Sequence, residues 1–163
     1  MDSPHDLHGV MKDNSHQKLL GALCLSLIPG LSIMIARILV VDDEKLVRWA
    51  ISNCLKRDSH EVFCAQDGEE AVEKARKIAF DLVITDFKMP GMNGGELLKQ
   101  LKQLIPNAKV MILTAYIAEP DKQKIMNLGA CEYVEKPFIV DEIRNRVQAA
   151  LSMDNGLFRA MYQ

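Results

Sequence analysis

At 163 residues, with 48% apolar and 26% charged side chains, the chain has the composition of a soluble globular protein large enough for one buried core. A formal net charge of -2 and a pI near 6.1 offer no basic field for phosphate backbones, which argues against direct nucleic-acid binding. The four cysteines, Cys24, Cys54, Cys64 and Cys131, lack CxxC or Cys/His metal spacing, so reduced and mostly buried thiols in a reducing compartment are expected.

Taken in chain order, residues 1–18 are polar and hold His5, His8 and His16 without metal-ligand spacing. Leu19 to Ala36 then runs apolar, broken by Ser26, Pro29, Gly30 and Ser32, at the lower edge of what spans a bilayer. Asp2, Asp6 and Asp13 offset Lys12 and Lys18, so the basic region that precedes a signal peptide is missing. The run also passes without a linker into Arg37-Ile38-Leu39-Val40-Val41, a predicted central strand. The preferred expectation is that residues 1–36 lie outside the fold, with a natural start at Met34 and residues 1–33 an upstream extension. A docking segment ranks second and a membrane anchor last.

From there, short apolar runs alternate with amphipathic ones. Strands are predicted at Ile38–Val41, Val62–Ala65, Leu82–Thr85, Val110–Leu113 and Glu132–Val134. Residues 38–41, 82–84 and 110–113 are continuously apolar, as in strands covered on both faces. Helices are predicted near 44–57, 69–78, 94–104, 119–128 and 139–151. Val47, Ile51, Cys54 and Leu55 form one apolar stripe, and Leu97, Leu98, Leu101 and Leu104 another. Pro120 suits a first helical turn, Gly129 a C-terminal cap and Asn93 an N-cap, while Asp67-Gly68 reads as a turn. The final pattern fades near Ser152, and residues 153–163 form a tail too short for an effector domain. Five β-α repeats imply an α/β fold with a parallel sheet, right-handed crossovers and helices on both faces.

In such sheets ligands sit beyond the carboxyl ends of the strands. Asp42 and Asp43 follow the first strand, Asp86 ends the third, Thr114 ends the fourth, and the fifth leads to Lys136-Pro137. If the first and third strands are neighbours, three carboxylates converge. Unpaired they would repel one another, and a divalent cation resolves the conflict. Oxygen-only donors with room for water favour Mg2+ over zinc. Each acid taken alone could be a helix cap or turn residue. Together the set suits phosphoryl transfer: Asp86 as carboxylate nucleophile, with Mg2+, Lys136 and the Thr114 hydroxyl around the incoming group.

The segments ILVVDDE (38–44), DLVITDFKMPGMNG (81–94), MILTA (111–115) and LGACEYVEKPF (128–138) resemble the receiver domain of bacterial response regulators over residues 37–152. The resemblance implies a flavodoxin-like doubly wound (βα)5 fold with a five-stranded sheet in the order 2-1-3-4-5. It implies Mg2+ ligation by Asp42 or Asp43, by Asp86 and by the backbone carbonyl of Lys88, and phosphorylation at Asp86 with contacts from Thr114 and Lys136. It also implies a cis bond before Pro137, where proline lowers the cis penalty.

Similar domains couple phosphorylation to an inward swing of an aromatic ring, here Tyr133, behind Thr114; an ordinary half-buried strand aromatic is the alternative. The polar run Asp121-Lys122-Gln123-Lys124, with only Ile125, Met126 and Leu128 as anchors, suggests an easily displaced fourth helix. Lys88 and Tyr116, each two residues past a key position, are candidates for controlling water access; both also read as surface residues.

A fold-only adaptor would not need the full Asp/Asp/Asp/Thr/Lys set. An aspartate-nucleophile phosphatase needs a second acid two residues after the nucleophile, where this chain has Lys88. A flavin-binding relative would want a Ser/Thr/Gly-rich loop where Asp42-Asp43-Glu44 stands. The expectation is therefore a cytoplasmic, stand-alone phosphoacceptor similar to the chemotaxis-type single-domain regulators, and not an enzyme beyond Mg2+-dependent self-phosphorylation and autodephosphorylation. It would take its phosphoryl group from a histidine kinase or histidine phosphotransfer protein and act on a downstream protein. Receivers of this kind often pair, so a phosphorylation-dependent homodimer is among the expected partners. The segment ILVVDDEKLVRW is also similar to receivers carried by transcriptional activators, which leaves a separately encoded output domain open.

Overall fold

Strands and helices alternate without exception in the computed structural model, which describes residues 35–115 and 118–152. The order is β1 (Arg37–Val41), α1 (Lys45–Arg57), β2 (Glu61–Ala65), α2 (Gly68–Lys77), β3 (Leu82–Asp86), α3 (Gly94–Leu104), β4 (Lys109–Thr114), α4 (Glu119–Asn127), β5 (Glu132–Glu135) and α5 (Val140–Ser152). The strands form one parallel sheet in the order β2-β1-β3-β4-β5, the doubly wound flavodoxin-like arrangement expected. Of the N-terminal run only Ile35 and Ala36 are described, and Ala36, expected outside the fold, is buried in the core because its carbonyl accepts from the Glu61 amide at the start of β2. Residues 1–34, with Met34 as a start, and the tail from residue 153 fall outside the described residues. No helix among the described residues is long and apolar enough to cross a membrane.

Strand pleating divides the core into two layers. Leu39, Val41, Val83, Val110 and Ile112 face α2, α3 and α4 through Ala71, Val72, Leu97, Leu98, Leu101 and Ile125. The alternate residues Ile38, Val40, Leu82, Ile84, Met111 and Leu113 face α1 and α5 through Ile51, Leu55, Ile143 and Val147. Every residue of β3 is buried, which explains why the central strands read as unbroken apolar runs.

The helix ends show where local chemistry decides. Asn93 caps α3 in a full capping box, its side chain accepting from the Gly95 and Glu96 amides while Glu96 reaches back to the Asn93 amide. Asp67, expected in a turn, instead caps α2 by accepting from the Glu70 amide at 2.8 Å. Pro120 lies in the first turn of α4, and Gly129 follows that helix with φ of +97°. Leu104 departs from its stripe: at the last turn of α3 it is 40% exposed. Cys54, Cys64 and Cys131 are free thiols; burial pushes the Cys131 thiol up to about 12, which leaves it inert.

Candidate functional site

Parallel register brings the acids together. Val41 pairs with Thr85, so the residues that follow, Asp42 and Asp86, emerge side by side at the end of β1 and β3. Asp86 pairs with Leu113 and Thr114 with Glu135, which carries Thr114 and Lys136 to the same edge. Two amides beyond the strands continue the ladder: Phe87 donates to the Leu113 carbonyl at 2.7 Å and Lys136 to the Thr114 carbonyl at 2.6 Å. The Lys136–Pro137 peptide is cis, as the resemblance implied.

Asp42 is fully buried. Its Oδ1 accepts from the Glu44 amide at 2.8 Å and its Oδ2 from Lys136 Nζ at 2.9 Å. Asp86 is 6% exposed; its Oδ1 accepts from the Phe87 amide at 2.8 Å and lies 3.4 Å from Lys136 Nζ. Asp43 is exposed at the mouth, and one oxygen from each of the three acids lies within 4.8 Å of the others. Glu44 Oε1, at 3.8 Å from the same ammonium, stands on the rim. Thr114 is fully buried at the end of β4.

The charges do not balance, because one ammonium faces three carboxylates. Burial pushes the Asp86 carboxyl above its ordinary range, with Asp42 adding to the rise and Lys136 opposing it. Burial also disfavours the Lys136 charge, but its hydrogen bond to Asp42 and the charges of Asp42 and Asp86 win, so its pKa rises and it stays an ammonium. An all-oxygen cluster with a surplus of negative charge, open on the Asp43 side, fits a hard divalent cation.

Two positions have contacts that their place in a turn and in a polar run did not signal. A Cβ on Gly94 would come within 2.5 Å of the Asp86 carbonyl oxygen and 2.9 Å of Phe87 Cα, so only glycine lets α3 start so close behind the acid. Lys122 Nζ stands 4.1 Å from the centre of the Tyr133 ring, a cation–π contact between α4 and β5 that no sequence spacing signals. Tyr133 itself is half-buried against the layer that holds Ile112, the face on which Thr114 also lies. The Lys88 side chain is exposed two residues past Asp86, and Tyr116 lies outside the described residues.

A family model described as the response regulator receiver domain matches residues 38–148. The sporulation initiation phosphotransferase F of Bacillus subtilis (strain 168) is 36% identical over 120 residues, covering 74% of this chain and 97% of that protein. The alkaline phosphatase synthesis transcriptional regulatory protein PhoP of the same organism is 40% identical over 115 residues, covering 71% of this chain. The chain spans 48% of that regulator's length. Among solved structures, the chemotaxis protein CheY4 of Vibrio cholerae superposes with a TM-score of 0.68 at 32% identity, covering 72% of this chain and 99% of that one. The BeF3-activated DrrB receiver domain gives 0.68 at 29% identity, covering 74% and 100%.

Proposed function

The chain belongs to the response regulator receiver family of two-component systems, signalling modules rather than classical enzymes, and from that footing we propose that it is a phosphoacceptor switch whose acceptor is Asp86. One carboxylate oxygen of Asp86 attacks the phosphorus of a phosphohistidine on a histidine kinase or histidine phosphotransfer protein. An O–P bond forms, the N–P bond breaks, and the leaving imidazole takes up a proton. Asp42, Asp43 and Asp86, with the main-chain carbonyl of Lys88, are the residues that would hold Mg2+, which supplies positive charge at the transferring oxygens. Lys136 stays protonated between Asp42 and Asp86, ready to pair with one phosphoryl oxygen. The Thr114 hydroxyl hydrogen-bonds another. The exposed Lys88, two residues past Asp86, limits water access to the acyl phosphate and so sets the lifetime of the signal.

Movement of Thr114 toward the phosphoryl group opens space for the Tyr133 ring, and the face of α4, β5 and α5 then presents a changed surface to a downstream protein. The location this implies is cytoplasmic, with the phosphodonor. The observation that carries the reading is the placement of one ammonium 2.9 Å from Asp42 and 3.4 Å from Asp86, at the ends of different strands of one sheet. A fold-only adaptor would have no use for that arrangement.

The test is intact mass after incubation with Mg2+ and a small acyl-phosphate donor. One phosphoryl group is expected on the wild-type chain and none on Asp86→Asn or in a metal-free control. No addition to a folded, Mg2+-bound wild type would favour the adaptor.

A further inference from the structure

The loop carrying Asp42 and Asp43 is held by more than the groups already described. The Asp42 amide donates to the Ala65 carbonyl at 3.3 Å, and its carboxylate accepts from Glu44 and Lys136. A further hold comes from outside the acid cluster: Nη1 of Arg48, in the first turn of α1, donates to the main-chain carbonyl of Asp42. That carbonyl belongs to the peptide that joins the two acids. Because a peptide is planar, anchoring its oxygen fixes how the chain leaves Asp42 and how it enters Asp43. Asp42 is pinned through its side chain as well. Asp43 is exposed, so the backbone is what aims it.

Arg48 is itself only partly exposed. Glu70 on α2, whose carboxylate is occupied by Lys74 and the Gln66 amide, also feels the Arg48 charge. The planar guanidinium fork is rigid enough to hold a carbonyl in one direction.

We infer that Arg48 is a positioning residue for the divalent cation: by anchoring the Asp42–Asp43 peptide it aims both carboxylates at the place facing Asp86. The inference rests on the reading of those three acids as the Mg2+ holders. Two effects of removing Arg48 have opposite signs. Loss of a nearby positive charge would tighten Mg2+ binding, an effect that salt weakens. Loss of an outer-shell contact loosens it, typically by about 10–100-fold. The sign of the change therefore separates the two roles.

The experiment is calorimetric titration of the full chain with Mg2+ near physiological salt, for wild type, Arg48→Ala and Arg48→Lys, beside thermal unfolding without the metal. Arg48→Ala is expected to weaken binding by about tenfold or more. Arg48→Lys, which keeps the charge but not the planar fork, should fall between the two. Arg144→Ala, which breaks the Arg144–Asp58 pair between α5 and the end of α1, serves as a stability control and should leave Mg2+ affinity unchanged. Binding by Arg48→Ala as tight as wild type, or tighter, overturns the assignment. So does an equal loss in Arg144→Ala, since general loosening would then account for it. A wild-type chain that binds no Mg2+ overturns the parent reading and this one together.

Discussion

A carboxylate buried to 6% exposure beside a second, fully buried one opposes the fold that holds it. For Asp86, burial is the largest cause of the upward shift and Asp42 the next unfavourable one, with Lys136 relieving part of it. The sign follows from proton linkage. A group whose pKa is raised on folding adds stability that is fully present below its unfolded pKa and lost as pH rises through the folded one. At neutral pH the ionised Asp86 is thus a standing penalty. Asp86→Asn is expected to raise the melting temperature at neutral pH in metal-free buffer, with the gain shrinking as the pH falls toward the carboxylate range. Calorimetric scans across that range check it; a gain independent of pH would show that something other than the buried charge is responsible. On the proposed reading, function keeps at Asp86 a residue that stability alone would replace.

Among the elements, the turn from β3 into α3 is the most tightly specified. The Gly94 amide donates to the Phe87 carbonyl at 2.9 Å, the Asn93 capping box closes the first turn, and Leu97, Leu98 and Leu101 are fully buried beneath it. This fixes the Asp86-Phe87 segment from behind. Gly94→Ala would place a methyl group against backbone that has nowhere to move. The expected result is a loss of about 1–3 kcal/mol in stability, as for other overpacked sites, together with slower phosphoryl acceptance at Asp86. Chemical denaturation and timed mass spectra measure the two. Wild-type values for both would mean that the loop yields more easily than its contacts imply. By contrast α4 has no side-chain N-cap, and among its described side chains Ile125 alone is well buried, with Met126 partly exposed and Leu128, which follows the helix, at 36% exposure. One helix is locked and another lightly held, and the lightly held one borders Tyr133.

Across the whole molecule that contrast supports the proposed route for the signal. Thr114 ends β4 and Tyr133 lies on β5, on the same side of the sheet, while Lys122 reaches from α4 over the Tyr133 ring. On that reading a change at Thr114 is passed along this face to a ring that also touches the lightly held α4. Phosphorylation is expected to alter amide hydrogen exchange in α4, β5 and the start of α5, and to leave α3 unchanged. Exchange by mass spectrometry, with and without the acyl-phosphate donor, reads this directly; an even change over all five helices, or none in α4, would rule out the route. The sequence by itself determined the layered fold and the strand-end placement of Asp42, Asp43, Asp86, Thr114 and Lys136, because both are written into periodicity and local spacing. Element boundaries were legible to within a residue or two, shifting where caps such as Asp67 took over. Tertiary structure alone decided the pairing of Lys136 with Asp42, the closeness of Gly94 to Asp86, the Lys122–Tyr133 contact and the reach of Arg48 to the Asp42 carbonyl. Those depend on strand register and on how each helix settles against the sheet, which no spacing along a single chain encodes.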